Sequence, residues 1–246
     1  MQQSVAGGLQ NSSNDIEIVI RPRSMLMILS LCISFFATLG VVSAYLFYIL
    51  KHSWAALPAR LFMLDLEANL PTLFSFGLLL FCSLMLFLIT LKQSSLGAMW
   101  RWHWVFLTGL FFVMAFDEAA GVHEHLILPV RETLNATGWF FFAWVVPAWI
   151  FVAVFSLVYL RFLLALPKPF MRLFILSGAL YVGGALGVEM PGGAYAELHG
   201  TDTFAFQMIA TAEEVLEMGG LALFSYTLIR FLAIQREPLC LMLRAR

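Results

Sequence analysis

The sequence predicts an all-α, polytopic membrane bundle of six transmembrane helices, and three observations carry that prediction. Hydrophobic residues make up 61% of the chain and charged residues only 12%, far from the balance of a soluble domain. Six apolar stretches, about 25–50, 70–92, 102–125, 139–166, 170–190 and 203–233, are long enough to cross a hydrocarbon core of about 30 Å. The basic residues also gather at alternating ends of these stretches. If the N-terminus is inside, Arg21, Arg23, Lys92, Arg101, Arg161, Lys168, Arg172, Arg230, Arg236, Arg244 and Arg246 are cytoplasmic, against Lys51, Arg60 and Arg131 outside. That positive-inside bias puts both termini in the cytoplasm.

The organisation that follows is one membrane domain with short flanks. Residues 1–24 form a polar cytoplasmic segment, 25–233 the six-helix domain and 234–246 a cytoplasmic tail. The first span is too long for the apolar region of a cleaved signal and follows a long polar segment, so it reads as a retained anchor. The expected location is a bacterial inner (plasma) membrane. Cys32, Cys82 and Cys240 show no disulfide or C-x-x-C spacing.

The formal net charge of −1 conceals an asymmetry. Asp65, Glu67, Asp117, Glu118, Glu124, Glu132, Glu189, Glu197, Asp202, Glu213, Glu214 and Glu217 fall on the outer half or near the midplane, with His52, His123, His125 and His199. Basic side chains there are too few to balance them. A cation is the natural guest, and nothing points to nucleic acid or an anionic partner.

Each span can be justified in turn. The first carries no charge from Ser24 to Tyr48 and suits a lipid-facing position. Asn69 with Pro71 marks the start of the second, because proline is tolerated in a first helical turn. Asp65 and Glu67 would lie just before it, as solvated loop acids able to fold back over its mouth.

The third span ends Phe116-Asp117-Glu118-Ala119-Ala120-Gly121-Val122-His123-Glu124-His125. On an unbroken helix Glu118 and His125 share a face, as do Asp117 and Glu124. Glu118 and His123 could share a ligand only if the helix loosened, and Gly121 is a place for that. Pro147 predicts a kink in the fourth span.

In the fifth, Ala179, Gly183 and Gly187 recur every four residues, a small-residue stripe for close helix packing. A break is expected at Pro191-Gly192-Gly193, immediately after Glu189. The sixth carries Glu213, Glu214 and Glu217, with Glu217 on a shared face with each of the other two. Trp100, Trp102 and Trp104 fit an inner aromatic belt, and Trp139 and Trp144 an outer one.

Depth makes three of the acids informative together. Arg101 to Glu118, Arg172 to Glu189, and Arg230 back to Glu213 are each steps of 17 residues. At about 1.5 Å per residue each step rises about 25 Å, within the hydrocarbon. An ionised side chain near the bilayer centre costs about 2.5–3.5 kcal/mol on insertion scales. Metal ions, protons or a basic partner must therefore sit among them.

Several chemistries can be weighed against this set. Carboxylates and a histidine on a helical bundle follow the logic of di-iron and di-manganese carboxylate proteins, although their Glu-x-x-His spacing is missing here. Oxygen-rich ligands suit iron(II), manganese or magnesium, and the lack of cysteine ligands weakens structural zinc. A multi-histidine desaturase needs more than the five histidines present. Haem held by two membrane histidines does not fit either, since only His103 lies near the inner side. A single-zinc hydrolase would draw on His123, His125 and His199 with Asp117.

The runs Leu64-Asp65-Leu66-Glu67-Ala68-Asn69-Leu70-Pro71-Thr72, Asp117-Glu118-Ala119-Ala120 with His123-Glu124, and Glu213-Glu214 with Glu217-Met218 carry a family resemblance. From residue 61 to about 227 the chain resembles a group of small bacterial multi-pass membrane proteins of unknown function. The resemblance implies the multi-pass fold and no mechanism.

The functional expectation is an integral-membrane metalloprotein with an outward-facing site. Glu118, His123, Glu189, Glu214 and Glu217 are its candidate ligands, with Glu67, Asp117, His125 and Glu213 around them. The metal is one or more divalent ions, iron or manganese in preference to zinc. An enzyme of this build is a metal-dependent oxidoreductase or hydrolase acting on a lipid-like substrate. The alternatives are a proton- or cation-coupled transporter using the intramembrane glutamates, or an accessory subunit of a membrane complex. The expected partners are the bilayer, the lipid-like substrate, and a helix-packing partner or a second copy of the chain.

Overall fold

The computed structural model describes residues 21–95 and 99–234. Most of the N-terminal segment, the tail with Arg236, Arg244 and Arg246, and Cys240 lie outside the described residues. The described residues are all helical or loop, and six helical stretches are long and apolar enough to cross a membrane. These are Pro22–Ile49, Leu70–Ser94, Arg101–Ala120, Val145–Ala165, Lys168–His199 and Phe204–Ala233.

Helix α1 (Pro22–Ala44) begins with proline in its first turn, where the missing N–H costs nothing, and ends in a π-helical turn, Tyr45–Ile49. The chain then folds back through the short α2 (Ala56–Phe62) onto α1. Gly40 makes this return possible: a Cβ there would meet the Leu64 side chain and lie 2.8 Å from the Phe62 carbonyl. Asn69 closes the loop, donating from Nδ2 to the Met63 carbonyl (2.6 Å) and accepting from the Thr72 N–H (3.1 Å). That cap starts α3 (Leu70–Ser95), with Pro71 in its first turn as the sequence predicts.

Helices α3 and α4 (Arg101–Ala120) pack closely side by side. The Ser83 hydroxyl donates to the Thr108 carbonyl (2.9 Å), and the Thr90 and Thr108 hydroxyls lie 3.2 Å apart. Short polar side chains between membrane helices satisfy one another in this way. α4 stops at Gly121, whose φ of 56° is left-handed, and α5 (Val122–Leu134) starts directly after it. The third apolar stretch is thus two helices, and the faces drawn for an unbroken helix through 125 do not exist.

The fourth stretch begins later than its apolarity suggests. Gly138–Phe140 is a separate 3₁₀ turn, and α6 runs Val145–Ala165. Pro147 falls in the first turn of α6, where it breaks no internal hydrogen bond, so the expected mid-span kink is absent. The fifth stretch comprises α7 (Lys168–Val182), a π-helical segment Gly183–Val188, and α8 (Glu189–His199). Pro191-Gly192-Gly193 lies inside α8 and does not break it. The π segment immediately before α8 leaves Pro191 close to a helical start, where its missing N–H is tolerated.

Helix α9 (Phe204–Ala233) is the central column, packed against α1, α3, α7 and α8. The Thr203 side chain caps it by accepting from the Phe206 N–H (3.1 Å). The close contact with α7 does not use the predicted stripe. A Cβ at Gly183 would meet nothing within 4 Å, and one at Gly187 only its own turn. Gly184 and Gly220 make the contact. A Cβ on Gly220 would lie 2.8 Å from both the Ser177 carbonyl and the Tyr181 nitrogen.

At the basic end, Trp104, Phe162, Phe174 and Phe231 form an aromatic core. Trp104 is therefore a core residue and no part of an interfacial belt, whereas Trp102 and Trp139 are exposed.

Because backbone, not a movable side chain, faces Gly220, Gly220→Ala should destabilise the protein by about 1–3 kcal/mol. A Cβ at Gly219 has open space, so Gly219→Ala should be neutral or stabilising. Thermal or denaturant unfolding in detergent checks the pair, and equal effects would contradict the α7–α9 contact.

Candidate functional site: a carboxyl-lined cavity

The turn between α4 and α5 builds the first part of the site. The left-handed Gly121 reverses the chain so that Asp117 meets the start of α5. Its Oδ1 accepts from the His123 backbone N–H (2.9 Å), and its Oδ2 lies 2.9 Å from the His123 Nδ1. One carboxylate thus caps α5 and orients an imidazole. The helix does break at Gly121, as the sharing of a ligand by Glu118 and His123 would require, and the direct hydrogen-bond partner of His123 is Asp117. Burial opposes charge on His123, but the Asp117 hydrogen bond and charge, with Glu124 and Glu189 behind it, push its pKa up to about 9.

The His123 ring packs on Trp144, centroids 4.8 Å apart. The Trp144 Nε1 donates to the Glu189 Oε1 at 2.9 Å. Glu189 opens α8 directly after the π segment and hydrogen-bonds Glu213 of α9. A carboxyl–carboxyl hydrogen bond requires a proton between its oxygens.

One turn further along α9, Glu217 lies beside Tyr181 of α7. Gly184 permits this proximity: a Cβ there would lie 2.7 Å from the Glu213 carbonyl and 2.9 Å from the Glu217 Cγ. π segments commonly mark functional sites, and this one lets α7 and α8 meet α9 at its acidic stretch.

The loop before α3 covers the same region. Gln207 donates from Nε2 to the Asp65 Oδ2 (3.0 Å). Burial, helped by Glu124 and Asp202, raises the Asp65 pKa against that hydrogen bond. Glu67 is exposed at the rim, and loss of hydration with Glu124 nearby raises its pKa as well. The expectation of two solvated loop acids fails for Asp65, which Met63 and Leu64 anchor from the buried side of the loop.

These groups line one end of a cavity of about 630 Å³. Asp65, Glu67, Asp117, Glu118, Glu124, Glu189, Glu213, Glu214 and Glu217 all face it, with His123 and Trp144, and no lysine or arginine among the described residues does. The rest of its wall is mainly apolar, from Leu107, Leu110, Phe111 and Met114 of α4, Phe151, Phe155 and Phe162 of α6, and Phe174 of α7. Helix α6 leans on α7 and the π segment, not closely on α4, and the cavity occupies the space between them.

The five candidate ligands Glu118, His123, Glu189, Glu214 and Glu217 therefore face one space, as do Glu67, Asp117 and Glu213. His125 does not. It is exposed, and its Nδ1 lies 2.7 Å from the Gly121 carbonyl. His199 is exposed too, stacked on Tyr195. The three-histidine zinc arrangement is thus not assembled. Among the described residues, no three His, Cys, Asp or Glu side chains stand as a group that could hold a metal ion. Asp65, Asp117, Glu189, Glu213 and Glu217 are instead engaged with neighbouring side chains.

Sequence reasoning missed Trp144, Tyr181 and Gln207. Trp144 read as a belt residue because nothing local connects it to Glu189, 45 positions away. Gln207 offered one signal, an amide within an otherwise apolar first two turns of the last span.

The fold and cavity define a class: a six-span helical protein with an acid-lined, half-apolar cavity. The chain belongs to the family described as Domain of unknown function (DUF8692), whose model matches residues 28–231. No curated protein and no solved structure is significantly similar to it.

The His123 titration tests the Asp117 pair. The imidazole protons should titrate near pH 9 by NMR, and in Asp117→Asn the midpoint should fall back toward the ordinary value of about 6.5. Because the folded value is raised, the pair's contribution to stability is full below about pH 6.5 and is lost as pH rises through about 9. An unchanged midpoint in the variant would contradict the pairing.

Proposed function

We propose that this protein is a membrane metalloenzyme acting on a lipid-like substrate, with a divalent ion held among Glu118, His123, Glu189, Glu214 and Glu217. The single observation that supports this reading is that all five face one cavity whose opposite end is apolar. With both termini cytoplasmic, the acidic end of that cavity opens outward, in a bacterial inner membrane.

The state of His123 agrees with a ligand role. Its Nδ1 is held by Asp117 at 2.9 Å, which leaves Nε2 to bind metal. Histidine ligands are commonly oriented this way, by a carboxylate on the other ring nitrogen. The remaining donors are carboxyl oxygens, which favour iron or manganese over zinc. Such an ion, when bound, activates water for hydrolysis or dioxygen for oxidation.

The chain's own contribution is positioning and exclusion of water. Trp144 fixes Glu189, Tyr181 fixes Glu217, and Gly184 lets α9 approach. The aromatic walls from α4 and α6 accept an apolar chain.

A second reading has one observation in its favour. The Glu189–Glu213 hydrogen bond shares a proton, as a proton-coupled transporter would use. Against a through-route, the far end of the cavity is walled by Phe162 and Phe174 and carries no acid. An accessory subunit would instead co-purify with a basic chain.

Elemental analysis of the detergent-purified protein beside Glu214→Ala, Glu217→Ala should find about one or two equivalents of iron or manganese, lost in the double variant. Uptake should weaken as pH falls below about 9, because metal must displace the His123 proton. No metal in either sample, even after reconstitution, would overturn the metal reading and favour the proton-coupled one.

A further inference from the structure

We propose that the cavity takes a single-chain amphiphile with a primary-amine head group, the ammonium among the carboxyls and the chain between α4 and α6. This rests on the reading of the cavity as the substrate site, and does not depend on the metal.

The charge inventory of the wall selects the head group. Among the described residues, nine carboxyl side chains and no lysine or arginine face the space. A phosphate or carboxylate head would find no countercharge beyond His123, which Asp117 already holds. An ammonium brings one positive charge and three N–H donors to a wall made of acceptors.

Most of those acceptors have internal partners. Asp117 has His123, Glu189 has Trp144 and Glu213, Glu217 has Tyr181, and Asp65 has Gln207. Glu67, Glu118, Glu124 and Glu214 make no side-chain hydrogen bond among the described residues, and of these Glu118 and Glu214 are the more enclosed. Glu214 lies half-buried on α9 and lines the cavity. A carboxyl so placed, in a membrane interior, needs a donor from outside the chain.

The other end selects the tail. Glu118 and Leu107 are 11 residues apart on α4, so the wall below the acids extends about 16 Å along the helix. Its lining is aromatic and aliphatic, with Phe111, Phe155 and Phe162 prominent. The volume of about 630 Å³ is that of a site for one small ligand. Size and polarity together describe one chain with one small head.

The test is equilibrium binding of hexadecylamine, hexadecanol and hexadecanoic acid at pH 7. The protein is held in nanodiscs of phosphatidylcholine and phosphatidylglycerol, and empty nanodiscs give the partition blank. The amine should bind saturably, one per chain, at least tenfold tighter than the other two. Glu214→Gln, close in shape to the native residue, should cost the amine at least tenfold and leave the alcohol unchanged. Ser156→Trp, at a cavity-lining position on α6, should cut hexadecylamine affinity while sparing octylamine.

Equal binding of the three ligands to the native protein would overturn the proposal. So would amine binding that neither variant alters while both still unfold cooperatively. Measuring metal-stripped and metal-loaded samples side by side separates the two ideas. Amine selectivity in protein that takes up no metal sinks the metal alone, and metal uptake without amine selectivity sinks the substrate class alone.

Discussion

The backbone-to-backbone approach of α7 and its π segment to α9, made at Gly184 and Gly220, is the contact on which the rest of the site depends. At both positions a Cβ would fall within 3 Å of backbone atoms of the facing helix. In a bilayer, hydrophobic burial gives little reason for helices to associate, so close packing of small residues carries the load. Here the close approach also has a chemical result. It brings Glu189 against Glu213 and Tyr181 against Glu217, so that two acids of α9 have partners from α7 and α8. A wider spacing would leave four buried polar groups without each other.

A second set of constraints acts at the opposite wall. Gly121 is left-handed and ends α4 one turn after its acids. That reversal lets Asp117 serve as both helix cap and imidazole partner, a double use that no continuous helix allows. It also aims His123 and Trp144 across the space at Glu189. The loop before α3 finishes the enclosure, since Gly40 lets Leu64 seat on α1 and Gln207 takes Asp65. Three separate backbone devices, a glycine contact, a left-handed turn and a folded-back loop, converge on one acidic end.

The cavity is asymmetric because α6 is not a full member of the packed core. It meets α7 and the π segment and touches α4 mainly through rings, such as Phe106 with Phe155 and Tyr159. Space between α4 and α6 is the consequence. An apolar space beside a charged one is unusual within a single small bundle, and it is what separates a binding site from a set of structural acids. Structural acids would be expected to pair completely, and among the described residues neither Glu118 nor Glu214, both lining the cavity, makes a side-chain hydrogen bond.

The sequence by itself determined the class of fold and the six apolar spans. Apolar length and charge placement report on transfer into lipid, a local property of each segment. It also singled out Glu118, Glu189, Glu214 and Glu217 as acids within apolar stretches, and the structure brings them to one cavity with His123. Gly121 as a loosening point and Asn69 with Pro71 as a helix start were equally local and equally legible.

Tertiary structure decided which of these residues meet. His123 could be assigned to Asp117, and not Glu118, only once the turn geometry was known. His125 and His199 drop out because their helices turn them to the surface. The glycine stripe misled because a π segment shifts the helical phase, putting Gly184 where Gly183 and Gly187 would have been on a regular helix. Trp144 and Tyr181 carried no local mark, and Gln207 only an amide in an apolar stretch, since their role lies in partners far along the chain. Apolar length is written in the sequence, whereas facing is set by phase, turns and packing, and those are settled only when the helices are together.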